Sequence, residues 1–185
     1  MHRRHPRTLP CLWLMTDERL GDALWPALKA LPRGAGVIFR DYATPPKQRR
    51  MRFARVLAIA RRRGLVVLRA GNIAMRGEMG THNRRGRGRG IHTRSAHNRR
   101  ELVSARRAGA DAVLVSPVFA TRSHPCARPL GVVRMGLMLR GATLPVIALG
   151  GMDAQRFRRL KGLSLHGWAA IDGLTPRQKR NAVPT

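Results

Sequence analysis

Residues 121–124, Thr-Arg-Ser-His, set two hydroxyls, a guanidinium and an imidazole side by side. A set of that kind offers several hydrogen-bond donors at once, which is what gripping an anion such as a phosphate requires. They follow a Val-rich run at 112–115 that reads as a strand buried on both faces, stopped by Ser116-Pro117 because proline cannot continue a central ladder. A second candidate is Gly150-Gly151, after the apolar run 144–149 and ahead of a helical pattern capped by Asp153. Paired glycines let backbone approach an anion closely, or simply form a tight turn. A third is Arg40, closing the run 36–40, whose forked donors suit bidentate phosphate binding. Ser95 and His97 stand at the end of a further run, and the His97 imidazole is a natural proton carrier near neutral pH. His82, His92 and His124 also fall near strand ends, which predicts ordinary surface residues, and the histidine spacing fits no metal motif.

These groups converge only if the chain folds as βα units. Strands are expected at 11–16, 36–40, 65–68, 79–82, 91–95, 112–115, 144–149 and 167–171. Leu20, Leu24, Leu28 and Leu31 recur at helical spacing, and 47–63 places Phe53, Val56, Leu57 and Ala60 on one face and arginines on the other. Further helical patterns cover 72–76, 99–108, 130–139, 153–160 and 172–180. Eight strands with intervening helices imply an α/β fold, a compact (β/α)8 TIM barrel. It is short against the usual ~250 residues, and the helix between strands 4 and 5 is missing because 84–89 leaves no room for one. An open flavodoxin-like sheet is the other architecture compatible with the pattern. Residues 1–8 read as a disordered basic tail and 9–180 as a single domain.

The chain has 185 residues and a formal charge of +28, nearly all of it arginine, since the only lysines are Lys29, Lys47, Lys161 and Lys179. Such a charge attracts polyanions: nucleic acid, anionic membrane or phosphorylated metabolites. The run RGRGRG at 85–90 has the look of an RNA-binding segment, but no aromatic residue lies between Phe53 and Phe119 to stack on bases, so a solvated loop is the expectation. Cys11 sits in an apolar run as a small core residue, Cys126 lies just past the candidate loop, and both fit a reducing cytosol. The apolar part of the N-terminal stretch is too short for a signal peptide, and no run approaches the ~20 residues of a membrane span. A cytoplasmic protein with no membrane association is expected, of an oligomeric state the sequence does not set.

Taken together, the pieces resemble the thiamine phosphate synthase family, which includes the related thiazole tautomerases. LWLMTD at 12–17 is similar to that family's LYLITD, and VIFR at 37–40 to its VQLR. Residues 93–97 carry Ser95 and His97 where the family reads GVSxH. GADAVLVSPVFATRSH at 109–124 resembles GADYVGxGPVFxTxTK, PVIALGGM at 145–152 resembles PVVAIGGI, and GWAAIDGL at 167–174 resembles GVAVVSAI.

The resemblance implies a (β/α)8 barrel that joins hydroxymethylpyrimidine diphosphate to thiazole phosphate, releasing pyrophosphate, with Mg²⁺ holding the leaving group. It further implies that Arg40 faces the diphosphate and that Ser95 sits beside the reacting centre. Thr121 and Ser123 would bind a phosphate with His124 next to them, and Gly150 and Gly151 would hold the thiazole phosphate. The chain departs from the pattern in several places. Ile38, Tyr42 and His124 replace a glutamine and two lysines, and the carboxylates expected after strands 3 and 4 are absent, with Arg69 and the arginines of 84–89 in their region. Mg²⁺ needs such carboxylates, so no cofactor is expected. Arg69 and that loop would supply the positive charge in the ion's place. The alternatives are a tautomerase using His97, a barrel that binds a phosphorylated ligand without catalysis, and a basic protein that binds RNA non-specifically.

Overall fold

The computed structural model describes residues 9–86, 88–121 and 127–175. Eight parallel strands close into a barrel in chain order: β1 (Leu12–Met15), β2 (Gly36–Phe39), β3 (Val66–Ala70), β4 (Gly80–His82), β5 (Ile91–Ala96), β6 (Ala112–Val115), β7 (Val146–Ala148) and β8 (Gly167–Ala170). Closure is made by β8 pairing with β1, Trp13 opposite Ala169. The open sheet is thereby excluded. The outer ring consists of α1 (Leu24–Ala30), α2 (Pro46–Arg63), α3 (Arg99–Arg107), α4 (Gly131–Leu139) and α5 (Ala154–Arg158).

Alternation along each strand sorts the core into layers. Trp13, Met15, Ile38, Leu68, Leu114 and Ile147 fill the barrel. Trp13 is fully buried at the amino-terminal end, its indole N–H donating to Pro10 O at 2.6 Å. Room for it comes from Gly36, where a Cβ would overlap the indole ring. Outside the sheet, Leu14, Val37 and Phe39 pack under α1 and α2 with Leu28 and Phe53. On the other side Val113, Val115 and Ala148 pack under α3, α4 and α5 with Leu102 and Met135.

Among the described residues the wall between these two outer layers carries no helix. The expected gap after β4 is present, and the short helix expected at 72–76 is also absent, its residues running as bends and irregular chain into a turn at 76–77. The reason lies in β3 and its neighbours. Arg69, Thr81 and His92 stand side by side in register on the outer face, all about 1% exposed. A polar row of this kind cannot be covered by an apolar helix face, because each group needs a hydrogen-bond partner. Glu78 supplies one, accepting from Arg69 Nε at 2.6 Å and Nη2 at 3.0 Å, and Thr81 Oγ1 lies 3.0 Å from His92 Nδ1.

Other expectations shift in detail. The Leu20 pattern is interrupted at Gly21 (φ 48°), which separates a 3₁₀ turn, Glu18–Ala23, from α1. Asp153 does cap α5, accepting from Arg156 N at 2.8 Å, but that helix ends at Arg158. The closing helix begins as a 3₁₀ turn at Asp172–Leu174, and 176–180 lie outside the described residues. So do the basic tail 1–8 and Cys126. Cys11 is exposed rather than part of the core, because it precedes β1 on the barrel floor, with its Sγ 3.7 Å from His166 Nε2. Among the described residues no helix is long and apolar enough to cross a membrane.

Candidate functional site

The interior positions that follow Met15, Ile38, Ala70, Thr93 and Leu114 open at the carboxyl-terminal mouth, where (β/α)8 barrels carry their chemistry. Arg40 continues β2 there. Its Nη2 donates to Asp17 Oδ2 at 2.8 Å and its backbone N–H to Thr16 Oγ1 at 3.0 Å, which fixes the guanidinium while leaving other donors for a ligand. Burial pushes the Asp17 carboxyl up, but hydrogen bonds from the Arg19 side chain and backbone, with the charges of Arg19 and Arg40, hold it below its usual value. Thr16 in turn donates to Asp41, a fully buried carboxylate that also accepts from Arg52 Nε at 2.8 Å.

His82, expected on the surface, is 1% exposed and faces into the barrel beside β5. The reason is register: His82 pairs with Ala70 on one side and Thr93 on the other, both interior positions. Its Nδ1 lies 2.9 Å from Thr93 Oγ1 and its Nε2 3.1 Å from Ser95 Oγ. Asn83 clamps Ser95 from the other side, Nδ2 donating to its Oγ at 3.0 Å and Oδ1 accepting its N–H at 2.8 Å. Burial, then the charges of Arg40 and His92, lower the His82 pKa to about 3. The imidazole is therefore neutral at physiological pH. With its proton on Nδ1 it donates to Thr93 and accepts the Ser95 hydroxyl proton, so that, with Asn83 on one lone pair, the serine oxygen keeps the other for the mouth.

This neutrality has a measurable consequence. An unfolded histidine takes a proton near pH 6.5 while folded His82 does not until about pH 3. Between those values the unfolded state binds the extra proton, so stability falls as the pH falls, by up to about 1.4 kcal/mol per pH unit. Urea midpoints measured from pH 7 to pH 4 should drop more steeply for the parent than for His82→Gln. Parallel slopes would mean that His82 is not buried in its neutral form.

On the opposite side of the mouth the loops after β6 and β7 are stapled together, Val118 N donating to Leu149 O at 2.9 Å and Phe119 N to Gly150 O at 3.1 Å. Gly151, at φ 61°, sits where a Cβ would overlap the carbonyl oxygen of Ala120, the residue before Thr121. Thr121 and the glycine pair therefore share one corner of the mouth. Arg156 donates to Gly151 O and lies 5.6 Å over the Phe119 ring, closing that corner from α5. His97 is exposed at the tip of β5, its Nδ1 2.7 Å from Ser116 O. Ser123 and His124 lie outside the described residues.

Of the residues singled out from sequence, Arg40, Ser95, His97, Thr121, Gly150 and Gly151 occupy the same end of the barrel. Arg69 does not join them. Strand alternation turns it to the outer wall, where Glu78 neutralises it. Asp17, His82 and Asn83 complete the mouth and were missed. The signal that could have found them is register, since each sits one or two residues beyond an interior strand position. Tyr42, 55% exposed beside Arg49, also borders the opening, its ring centroid 5.6 Å from that guanidinium.

A closed eight-stranded barrel with polar groups gathered at its carboxyl-terminal mouth places the chain among the (β/α)8 barrels, whose chemistry is carried at that end. The chain belongs to the thiamine monophosphate synthase family, whose model matches residues 81–174, just over half of it. A thiamine-phosphate synthase of Lactococcus lactis subsp. cremoris (strain MG1363) is 32% identical over 90 residues, 48% of this chain and 41% of that protein. A putative thiamine-phosphate synthase 2 of Aquifex aeolicus is 34% identical over 77 residues, covering 42% of this chain and 41% of the relative. The chain thus aligns with about two-fifths of the length of these relatives. In fold it is similar to the thiamine phosphate pyrophosphorylase of Pyrococcus furiosus, with a TM-score of 0.71 over 89% of this chain and 86% of that one at 18% identity.

Proposed function

We propose that the protein joins hydroxymethylpyrimidine diphosphate to thiazole phosphate, releasing pyrophosphate, as a cytoplasmic enzyme of thiamine biosynthesis. The observation that carries this reading is the two-sided mouth: a fixed guanidinium and an electron-rich serine on β2 and β5, facing a glycine-and-hydroxyl corner on β6 and β7. Arg40 binds the diphosphate and stabilises the charge that collects on it as the carbon–oxygen bond breaks. The pyrimidine methylene becomes electron-poor in that step, and the Ser95 oxygen, its hydroxyl proton directed at His82, lies beside it. The thiazole ring nitrogen then forms the new bond to that carbon. Thr121, Gly150 and Gly151, with Ser123 and His124 nearby in sequence, hold the thiazole phosphate, and His97 serves any proton transfer at the edge of the mouth.

Mg²⁺, which the family resemblance implies, does not suit the donors described. The tips of β3 and β4 carry Ala70 and Asn83, and Glu78 is turned to the outer wall and engaged by Arg69. Among the described residues no cluster of three histidine, cysteine or carboxylate side chains could hold a metal ion. Oxygen donors with negative charge are what that ion demands, so no step is assigned to it. Incubating the protein with both precursors, with and without EDTA, and measuring thiamine phosphate tests the reading. Product should form in both, and Ser95→Ala should lower its rate by about 10²-fold while the thiazole phosphate still binds. No product with either addition, together with tight thiazole phosphate binding, would leave only a ligand-binding or tautomerase role.

A further inference from the structure

The wall over β3, β4 and β5, where the helical ring is interrupted, carries charge of one sign. Arg76, Arg84, Arg85 and Arg89 project from the two connections that replace helices, Arg61 borders them from α2 and Arg94 stands on β5. These are one surface. Arg61 Nη2 would lie 3.3 Å from a Cβ at Gly77, Arg85 N donates to Asn72 Oδ1 at 3.0 Å across the two connections, and the Arg84 charge acts on Glu78. From residue 71 to 100 the only acidic residue is Glu78, and Arg69 consumes its charge. Asp111 reaches the same wall, its Oδ2 accepting from His92 N at 2.7 Å, so among the described residues the six guanidiniums outnumber the carboxylates of this face.

We propose that this helix-free sector docks the phosphate backbone of double-stranded nucleic acid, independently of the chemistry at the mouth. Arginine forks match phosphate oxygens bidentately. No aromatic side chain is present from residue 54 to 118, so the stacking that retains single strands has no platform. A membrane surface would ask for apolar side chains among the charges, and among the described residues of the two connections only Ile73 is a large, exposed hydrophobe.

The test is fluorescence anisotropy with a labelled 20-base-pair DNA duplex from 50 to 300 mM salt. Log affinity should fall linearly with log salt. Replacing Arg76, Arg84, Arg85 and Arg89 by alanine should flatten the slope by about 2 to 4 and weaken binding at 100 mM salt roughly 30-fold or more. The matched control removes as many charges near the opposite wall, Arg134, Arg158, Arg159 and Lys161, and should change affinity less than about threefold on the same logic. Equal losses from the two variants would show general charge attraction and overturn the site. Tighter binding of a 20-nucleotide single strand would overturn it, as would capture by phosphatidylserine vesicles through the same arginines with no duplex binding. Should the alanine variant fail to fold by circular dichroism, Arg85→Glu alone reads the same slope: a fall of about one or more supports the site, and an unchanged slope overturns it.

Discussion

Arg40→Ala will lower kcat/KM for thiamine phosphate formation by about 10²- to 10³-fold while the protein stays folded. The side chain meets Asp17 through Nη2 and keeps the rest of its donors at the mouth, so alanine removes charge where the proposed reaction gathers it on the leaving diphosphate. The fold tolerates the loss because Asp17 retains Arg19, whose Nε lies 2.7 Å from Oδ1, and because Arg40 is itself partly solvated. The Thr16 contact is made by backbone and survives the substitution. Because the guanidinium is asked to act most strongly on the separating charge, kcat should fall further than KM rises. Unchanged kcat with a raised KM would reduce Arg40 to ground-state binding, and no change in either would remove it from the site.

Glu78→Ala will cost the fold about 3–5 kcal/mol, the largest stability loss expected from a single polar substitution here. Arg69 is 1% exposed on the outer wall and receives its compensation from that carboxylate, with an added bond to Gly71 O. Removing the acid leaves a guanidinium buried without a counter-charge. Burial pushes the Glu78 carboxyl up, yet the hydrogen bonds from Arg69 and Met75 N, with the charges of Arg69 and Arg84, hold it below 4.5. The sign follows: this stabilisation is present above the unfolded value and disappears as the pH falls through the lower folded one. Urea unfolding at pH 7 measures the loss, and Arg69→Met with Glu78→Leu should recover most of it. A loss under about 1 kcal/mol for Glu78→Ala would mean that Arg69 finds water or another partner.

The barrel was legible because it rests on signals that a sequence carries openly. Val-rich runs such as 112–115 and the amphipathic stretch 47–63 each have one period, and the structure places a strand and a helix on both. The mouth was half legible. Arg40, Gly150 and Gly151 end apolar runs and announce themselves, and Ser95 stands where the family motif has its serine, whereas His82 ends a three-residue strand too short to show alternation. Without register, a histidine in the barrel and an arginine on its outside look alike. That is why His82 was read as surface and Arg69 as part of the site. The 72–76 helix failed for a related reason: local composition permits it, but the polar row of Arg69, Thr81 and His92 gives a helix nothing apolar to cover.

Trp13 has a consequence beyond packing. With Met15, Ile38, Leu68, Leu114 and Ile147 layered above it, the indole fills the floor, so the interior holds side chains rather than ligand and leaves the carboxyl-terminal rim to carry the chemistry. The rim is thus braced from the far end by a tryptophan held by the carbonyl of Pro10 and by the space that Gly36 leaves.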